Sequence, residues 1–250
     1  MLIIVEGPDG CGKSTLVQQL TEVIEREQPG EKIERLHRRP PTMHPLDEYV
    51  TPLLSYRPQR GHHIICDRWH VGEWVYPSVL GRKTLADKAL WYYTEMFLAS
   101  RGALIIYPSY TQDMLVQRVT QRGDDMIEVD QLAKIAGSYA FMADKHLTVN
   151  TRVHGKSPES LVALARWRET VTERLNHLTT YVGPSVGLPI LAPRAEEIAR
   201  QRLGDRERAV LRRIDGTRTL EELFDGSGLG SLDALRIVAR LIRSGAIRIV

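Results

Sequence analysis

Cysteine is almost missing from this 250-residue chain, which has only Cys11 and Cys66. Two isolated cysteines exclude a disulfide framework, and no Cys-x-x-Cys or His/Cys cluster offers metal-ligand spacing. Long hydrophobic runs are missing as well: "LIIV" near the start and "ALIIY" at 103–107 fall far short of the roughly 20 residues that cross a bilayer. No signal-peptide pattern precedes the first strand. The expectation is a cytoplasmic protein with reduced thiols and no membrane partner. A strong charge of one sign is also absent. The formal net charge is +3 and the pI about 8.9, with arginine far outnumbering lysine. That balance suits phosphate contact but is too mild to imply nucleic-acid binding. Internal repeats and low-complexity tracts are absent.

What is present is ordinary for a folded protein, with 42% hydrophobic and 26% charged residues. The length exceeds what one core comfortably fills, so two domains are expected. Residues 2–6, "LIIVE", read as a buried strand, and "KSTLVQQLTEVIERE" carries Leu16, Leu20, Val23 and Ile24 at helical spacing. A second strand at 32–36 runs into "HRRPPTMHP", whose consecutive prolines make it a loop. "HHIICDR" at 62–68 is a third strand, 85–100 a helix and "ALIIY" a fourth strand. A short helix through "TQDMLVQRVTQRGDD", a further one at about 127–146, a last strand in "HLTVNTR" and a helix at 157–179 follow. Alternating strands and helices predict an α/β fold: a parallel five-stranded sheet with helices on both faces.

The spacing of Gly7, Gly12, Lys13 and Ser14 satisfies G-x-x-x-x-G-K-[ST] between a predicted strand and a predicted helix. Glycines there let backbone N–H groups turn inward around phosphate oxygens, and the helix N-terminus adds its positive dipole end. Gly7, Gly10, Cys11, Gly12, Lys13, Ser14 and Thr15 are therefore the expected nucleotide-binding residues. Lys13 would neutralise β/γ charge and Ser14 would ligate Mg²⁺. Asp9 would be repelled by the phosphates, so it should point across the loop toward an acceptor hydroxyl or the metal shell; a hydrogen bond to its own turn is the alternative.

"CDRWH" at 66–70 ends the third strand, and ligands in such sheets bind at the C-terminal strand ends. Asp67 could hold Mg²⁺ through water, and Arg68 could grip an acceptor phosphate. Trp69, Glu73, Trp74 and Tyr76 supply groups suited to a planar base, although aromatics at this spacing equally often form core. Arg118 and Arg122, four apart before Gly-Asp, lie on one helical face. His62, His63 and His70 cluster near the third strand with no Ser or Cys partner, and ordinary packing roles are expected of them.

The segment E-G-x-D-G-x-G-K-S-T, the Asp-Arg-aromatic motif and the arginine pair before Gly-Asp together resemble the thymidylate kinase family of P-loop nucleoside monophosphate kinases, over residues 1 to about 180. The resemblance implies ATP and Mg²⁺ as cofactors and phosphoryl transfer to a (deoxy)nucleoside monophosphate, dTMP or a related pyrimidine nucleotide. By it, Asp9 contacts the acceptor sugar, Arg118 and Arg122 belong to a lid over the transferred group, and Lys13 and Asp67 serve the chemistry. Arg38 sits where the family reads Arg-Glu-Pro, but this chain has Arg38-Arg39-Pro40. The interval before Asp67 is shorter than in the family and broken by Pro52 and Pro58, which puts strict dTMP specificity in doubt. A deoxynucleoside kinase, a kinase of hydroxylated bases in DNA, and a nucleotide-switched DNA-binding regulator are the competing readings.

The expected division is a kinase domain at 1–182, a linker at 183–195 rich in Pro and Gly, and a small helical, winged-helix-like domain at 196–250. In that module Arg236, Arg240 and Arg243 lie along one helical face, as on a nucleic-acid recognition helix or on a solvated face of a partner-binding domain. A nucleic-acid or protein partner for the module and a homodimer are both left open.

Overall fold

The computed structural model describes residues 1–37, 44–54, 56, 61–84, 86–121, 128–146, 148–183, 187–229 and 231–250. Its contacts divide the chain into two units, Met1–Thr172 and Glu173–Val250. In the first unit the elements run β1 (Leu2–Val5), α1 (Lys13–Glu27), β2 (Lys32–His37), α2 (Pro45–Tyr49), β3 (His62–Asp67), α3 (Gly72–Leu80), α4 (Lys88–Ser100), β4 (Leu104–Tyr107), α5 (Gln112–Gln121), α6 (Val129–Ala143) and β5 (Asn150–Arg152). A single 3₁₀ turn, Thr51–Leu53, follows α2. The helix α7 (Pro158–Val182) spans the division.

The five strands form one sheet in the order β2-β3-β1-β4-β5, parallel throughout. Strand alternation explains how both faces are covered. On one face Leu2, Ile4, Ile64, Cys66, Ile105 and Tyr107 pack with residues of α2, α3, α4 and α6. On the other, Ile3, Val5, Ile65, Leu104 and Ile106 meet the apolar stripe of α1 and Leu161, Val162 and Ala165 of α7.

The expected boundaries shift where local chemistry decides them. The helix predicted from 85 begins at Lys88, because Asp87 Oδ1 accepts the Leu90 N–H at 2.8 Å and caps it. The one predicted from 127 begins at Val129, behind a reciprocal cap between Glu128 and Gln131. The third strand stops at Asp67, since Arg68 turns into the left-handed region at φ 68°.

This sheet has its topological switch point between β1 and β3. The chain leaves β1 toward α1 on one face and leaves β3 toward α3 and α4 on the other. Such points open a crevice beyond the carboxyl ends of the strands. Registers Val5–Asp67 and His37–Asp67 bring the loop after β1, the turn after β3 and the end of β2 to that edge.

The second unit holds β6 (Pro189–Leu191), α8 (Ala195–Arg202), α9 (Asp205–Leu211), α10 (Leu220–Ser227), α11 (Ser231–Ser244) and β7 (Ile247–Ile249). Its core includes Val182, Val210, Leu220, Val238 and Leu241. Two expectations are corrected here. The stretch 183–195, read as linker, contains β6, antiparallel to β7. Leu188 and Val250 exchange both N–H bonds, so Pro189 falls at the non-hydrogen-bonded position where its missing N–H costs nothing. The run "AEEIARQRLGDRERAVLRRI", which by its pattern reads as one helix, is two helices, because Gly204 is extended (φ −78°, ψ 176°) and starts α9 anew.

The turn between α4 and β4 gives a test of the packing. Gly102 has φ 70°, and a Cβ there would lie 3.0 Å from Thr172 Cβ and 3.3 Å from Glu169 Cα. Left-handed strain and overpacking add, so Gly102→Ala is expected to cost about 2–4 kcal/mol in urea unfolding. A loss below about 1 kcal/mol would contradict the contact.

Candidate active site

The loop between β1 and α1 wraps tightly on itself. Gly7 has φ 148°, and a Cβ there would stand 2.8 Å from Cys11 Sγ, so a side chain would displace that thiol and strain the backbone. Lys13 is buried, and its Nζ donates to the carbonyls of Gly7 (2.8 Å) and Pro8 (2.7 Å). Burial pulls its pKa below the usual lysine value, with Cys11 partly offsetting it. Burial pushes the Cys11 thiol up, which keeps it protonated and unreactive. Ser14 and Thr15, in the first turn of α1, face solvent. Gly10 and Gly12 complete the turn, at φ 81° and 93°.

Ser14 Oγ donates to Asp67 Oδ2 at 2.8 Å, while Asp67 Oδ1 is buried with no hydrogen-bond partner among the described residues. A hydroxyl beside a carboxylate with an unmet oxygen is a donor set of hard oxygens and fits Mg²⁺. His37 Nδ1 also approaches Asp67, at 3.6 Å. Sequence reasoning missed this histidine, because only the β2–β3 register places it there.

Asp9 turns across the loop rather than back on it. One of its oxygens pairs with the Arg68 guanidinium and the other accepts the Tyr76 hydroxyl at 2.9 Å. Burial, the largest single effect, works against the Arg68 charge, but Asp9 with Tyr76, Tyr139 and Asp67 together outweigh it and hold the guanidinium pKa up. Burial and Asp9 together push the Tyr76 phenol well above its ordinary value, so it stays protonated as a donor. Arg68 is a non-glycine residue at φ 68°, a strain that a surrounding structure must enforce. The enforcing group is Glu6, fully buried, whose Oε1 accepts the N–H groups of Trp69 (2.8 Å) and Val71 (3.2 Å). Arg118, on α5, donates to the Gly10 carbonyl at 3.0 Å and so lies against the loop.

Three of the expected site residues do not join this group. Trp69 is 1% exposed and gives its indole N–H to the Tyr49 carbonyl at 3.0 Å, so it is core and presents no stacking face. Glu73 turns to Thr84, whose hydroxyl it accepts at 3.2 Å. Trp74 packs edge-on against Trp91 at 5.5 Å. Arg38 and Arg122 lie outside the described residues. Beside Pro108, which borders Gly7, is a cavity of about 380 Å³ walled by Tyr107, Tyr110, Tyr139, Arg152 and His154.

No known family profile matches the chain, and no curated protein matches it. Solved structures that align with it cover 71% of its length. YorR from Bacillus subtilis, in complex with phosphorylated GDP, is 19% identical with 98% of its own chain aligned and a TM-score of 0.48. Polyphosphate kinase 2 from Arthrobacter aurescens is 18% identical over 68% of its chain, TM-score 0.43. Deoxyadenosine kinase from M. mycoides, with dCMP and dCDP, is 15% identical over its whole chain, TM-score 0.35. At such values the likeness is one of fold alone.

Burial raises the Glu6 pKa above its usual value, against the pull of its N–H donors and of His70 and Lys13. A carboxyl raised in the folded state destabilises the fold increasingly as pH climbs from its unfolded pKa through the folded one. Glu6→Gln keeps an acceptor for the two N–H groups and removes that penalty. The variant is expected to gain stability over wild type at pH 7, with the gain vanishing toward pH 4, below the model-peptide value of 4.5. Thermal melts across that range check it, and a pH-independent difference would contradict the assignment.

Proposed function

We propose that the chain is a P-loop phosphotransferase that moves the γ-phosphoryl group of ATP to a (deoxy)nucleoside monophosphate, dTMP or a related pyrimidine nucleotide. The observation that carries this reading is the placement of two chemically different groups at one sheet edge. On one side Lys13, Ser14 and Asp67 form a cradle for polyphosphate and Mg²⁺. On the other, Asp9, Arg68 and Tyr76 form a linked set with a cation for a phosphate and a carboxylate for a sugar hydroxyl.

The transfer itself asks little covalent chemistry of the protein, so positioning and electrostatics supply the rate. Lys13 is held by two neutral carbonyls, and a charged phosphate oxygen would compete for that ammonium on favourable terms. Mg²⁺, held through Ser14 and Asp67, would supply neutralisation of the phosphate charge. Arg118 lies where it can swing from the Gly10 carbonyl to a phosphoryl oxygen as charge develops. Arg68, positioned by Glu6 and braced by Asp9, would hold the acceptor's phosphate in line. The aromatic walls of the cavity beside Pro108 suit a nucleobase.

Purified protein with ATP, Mg²⁺ and a panel of nucleosides, monophosphates and oligonucleotides tests the reading. Turnover of a pyrimidine monophosphate above every other acceptor is expected. Product from nucleosides or oligonucleotides alone would overturn it. Lys13→Ala should lower kcat by about 10²-fold or more with the fold intact. Asp9→Ala should raise the KM for the acceptor by about tenfold, the loss of one hydrogen bond to a charged group, and leave the KM for ATP nearly unchanged. Equal effects on both KM values would remove Asp9 from the acceptor side.

A further inference from the structure

Three residues far apart in sequence meet inside the first unit, away from the phosphate loop's own groups. Glu95 of α4 places Oε1 at 2.7 Å from His70 Nε2 and at 2.8 Å from His146 Nδ1. Each residue offers one ligand atom, and the three lie within 4.8 Å of one another. The side chains of Glu95 and His146 are fully buried and that of His70 is 3% exposed.

Around this trio stands a second layer of the kind that orients metal ligands. The Tyr107 hydroxyl lies 2.5 Å from His146 Nε2, the outer nitrogen of that ring. The Thr148 N–H donates to Glu95 Oε2 at 2.8 Å, and the Thr148 hydroxyl donates to the Glu95 carbonyl at 3.0 Å. Trp91 packs on both imidazoles, with ring centroids 4.9 Å from His70 and 5.3 Å from His146. The His146 ring is thus held by packing and an outer hydrogen bond, and the His70 ring by packing, its buried Nδ1 meeting no hydrogen-bond partner among the described residues.

We propose that His70, Glu95 and His146 bind one divalent transition-metal ion of the zinc class, at a site distinct from the Mg²⁺-type oxygens of Ser14 and Asp67. Two imidazoles and one carboxylate match the preference of such ions for nitrogen with one hard oxygen, and they disfavour Mg²⁺. Bonds of about 2.0–2.2 Å in a tetrahedron set ligand atoms about 3.3 Å apart, so the contacts must widen by about half an ångström. The ion replaces the protons now shared with Glu95. In the neutral rings the proton then sits on the outer nitrogen: Nε2 of His146, where the Tyr107 oxygen accepts it, and Nδ1 of His70.

The ligands come from the turn two residues after Arg68, from the middle of α4, and from the chain between α6 and β5. An ion here would clip these segments together and stiffen the turn that carries Arg68. Its role is therefore structural, with the open fourth position left for a water.

Chelator-treated full-length protein, titrated with Co²⁺ and then Zn²⁺ in excess Mg²⁺, tests the assignment. One equivalent of Co²⁺ should produce the visible absorption of a four-coordinate nitrogen and oxygen site. One equivalent of Zn²⁺ should abolish the absorption and raise the thermal midpoint by several degrees. Glu95→Gln and His146→Gln should each lose this uptake, while Lys13→Ala retains it. Absence of uptake by the wild type would overturn the proposal, as would equal uptake by the variants or an octahedral Co²⁺ spectrum. The wild-type titration decides the question even where a variant fails to fold. Because Lys13→Ala separates metal uptake from transfer, failure here leaves the reading of the phosphate loop standing.

Discussion

The buried Glu6 carboxylate, accepting the N–H groups of Trp69 and Val71, is the contact on which the arrangement at the sheet edge depends. It stands at the end of β1, where the phosphate loop begins, and reaches across to the turn after β3. Backbone pairing of β1 with β3 brings the two chain segments side by side. Pairing alone would leave the turn free to choose its own conformation. Two hydrogen bonds to one buried carboxyl oxygen hold it in a shape that an isolated peptide would avoid. The left-handed Arg68 is the visible result, and the direction of its guanidinium follows from it.

From that clamp the electrostatics of the edge follow. Asp9 leaves the loop because the Arg68 guanidinium and the Tyr76 hydroxyl each give one of its oxygens a partner across it. Pairing with Arg68 neutralises it at a partly exposed position, with side chains 32% and 17% exposed, where each charge can still be redirected toward a ligand. Lys13 is buried instead, held by carbonyls that give no charge compensation. In the second unit the picture differs. Arg240 is paired with Glu207 at 2.7 Å and Arg236 approaches Asp233 at 3.5 Å, so the arginine stripe on α11 is interleaved with acids. This weakens the electrostatic case for a nucleic-acid face, whose attraction rests on unneutralised positive charge.

Much of the first unit was legible because its signals are local. A strand, a glycine loop and a helix with Leu16, Leu20, Val23 and Ile24 at helical spacing lie within thirty residues of each other. Helix starts were misplaced by two or three residues where a side-chain cap at Asp87 or Glu128 decided the boundary. Trp69 was misread for a different reason. Its neighbours Asp67 and Arg68 belong to the site, but the turn after β3 points consecutive side chains in different directions, and Trp69 goes to the core. β6 was hidden because three prolines and two glycines between 181 and 194 look like linker. Only its partner β7, some sixty residues on, makes it a strand.

By itself the sequence determined a G-x-x-x-x-G-K-S loop between a strand and a helix at the head of a parallel α/β unit, since that motif is written in adjacent residues and short-range periodicity. Tertiary structure alone decided which side chains share a site. Asp9 with Arg68 and Tyr76, His37 with Asp67, and Glu95 with His70 and His146 are sets whose contacts each join residues about 25 to 70 apart in the chain. Their meeting depends on strand order and helix packing, which the hydrophobic pattern constrains as a whole but does not specify residue by residue. The histidines show the difference most plainly: in the sequence His70 and His146 lie far apart, and in the fold they close around one buried carboxylate.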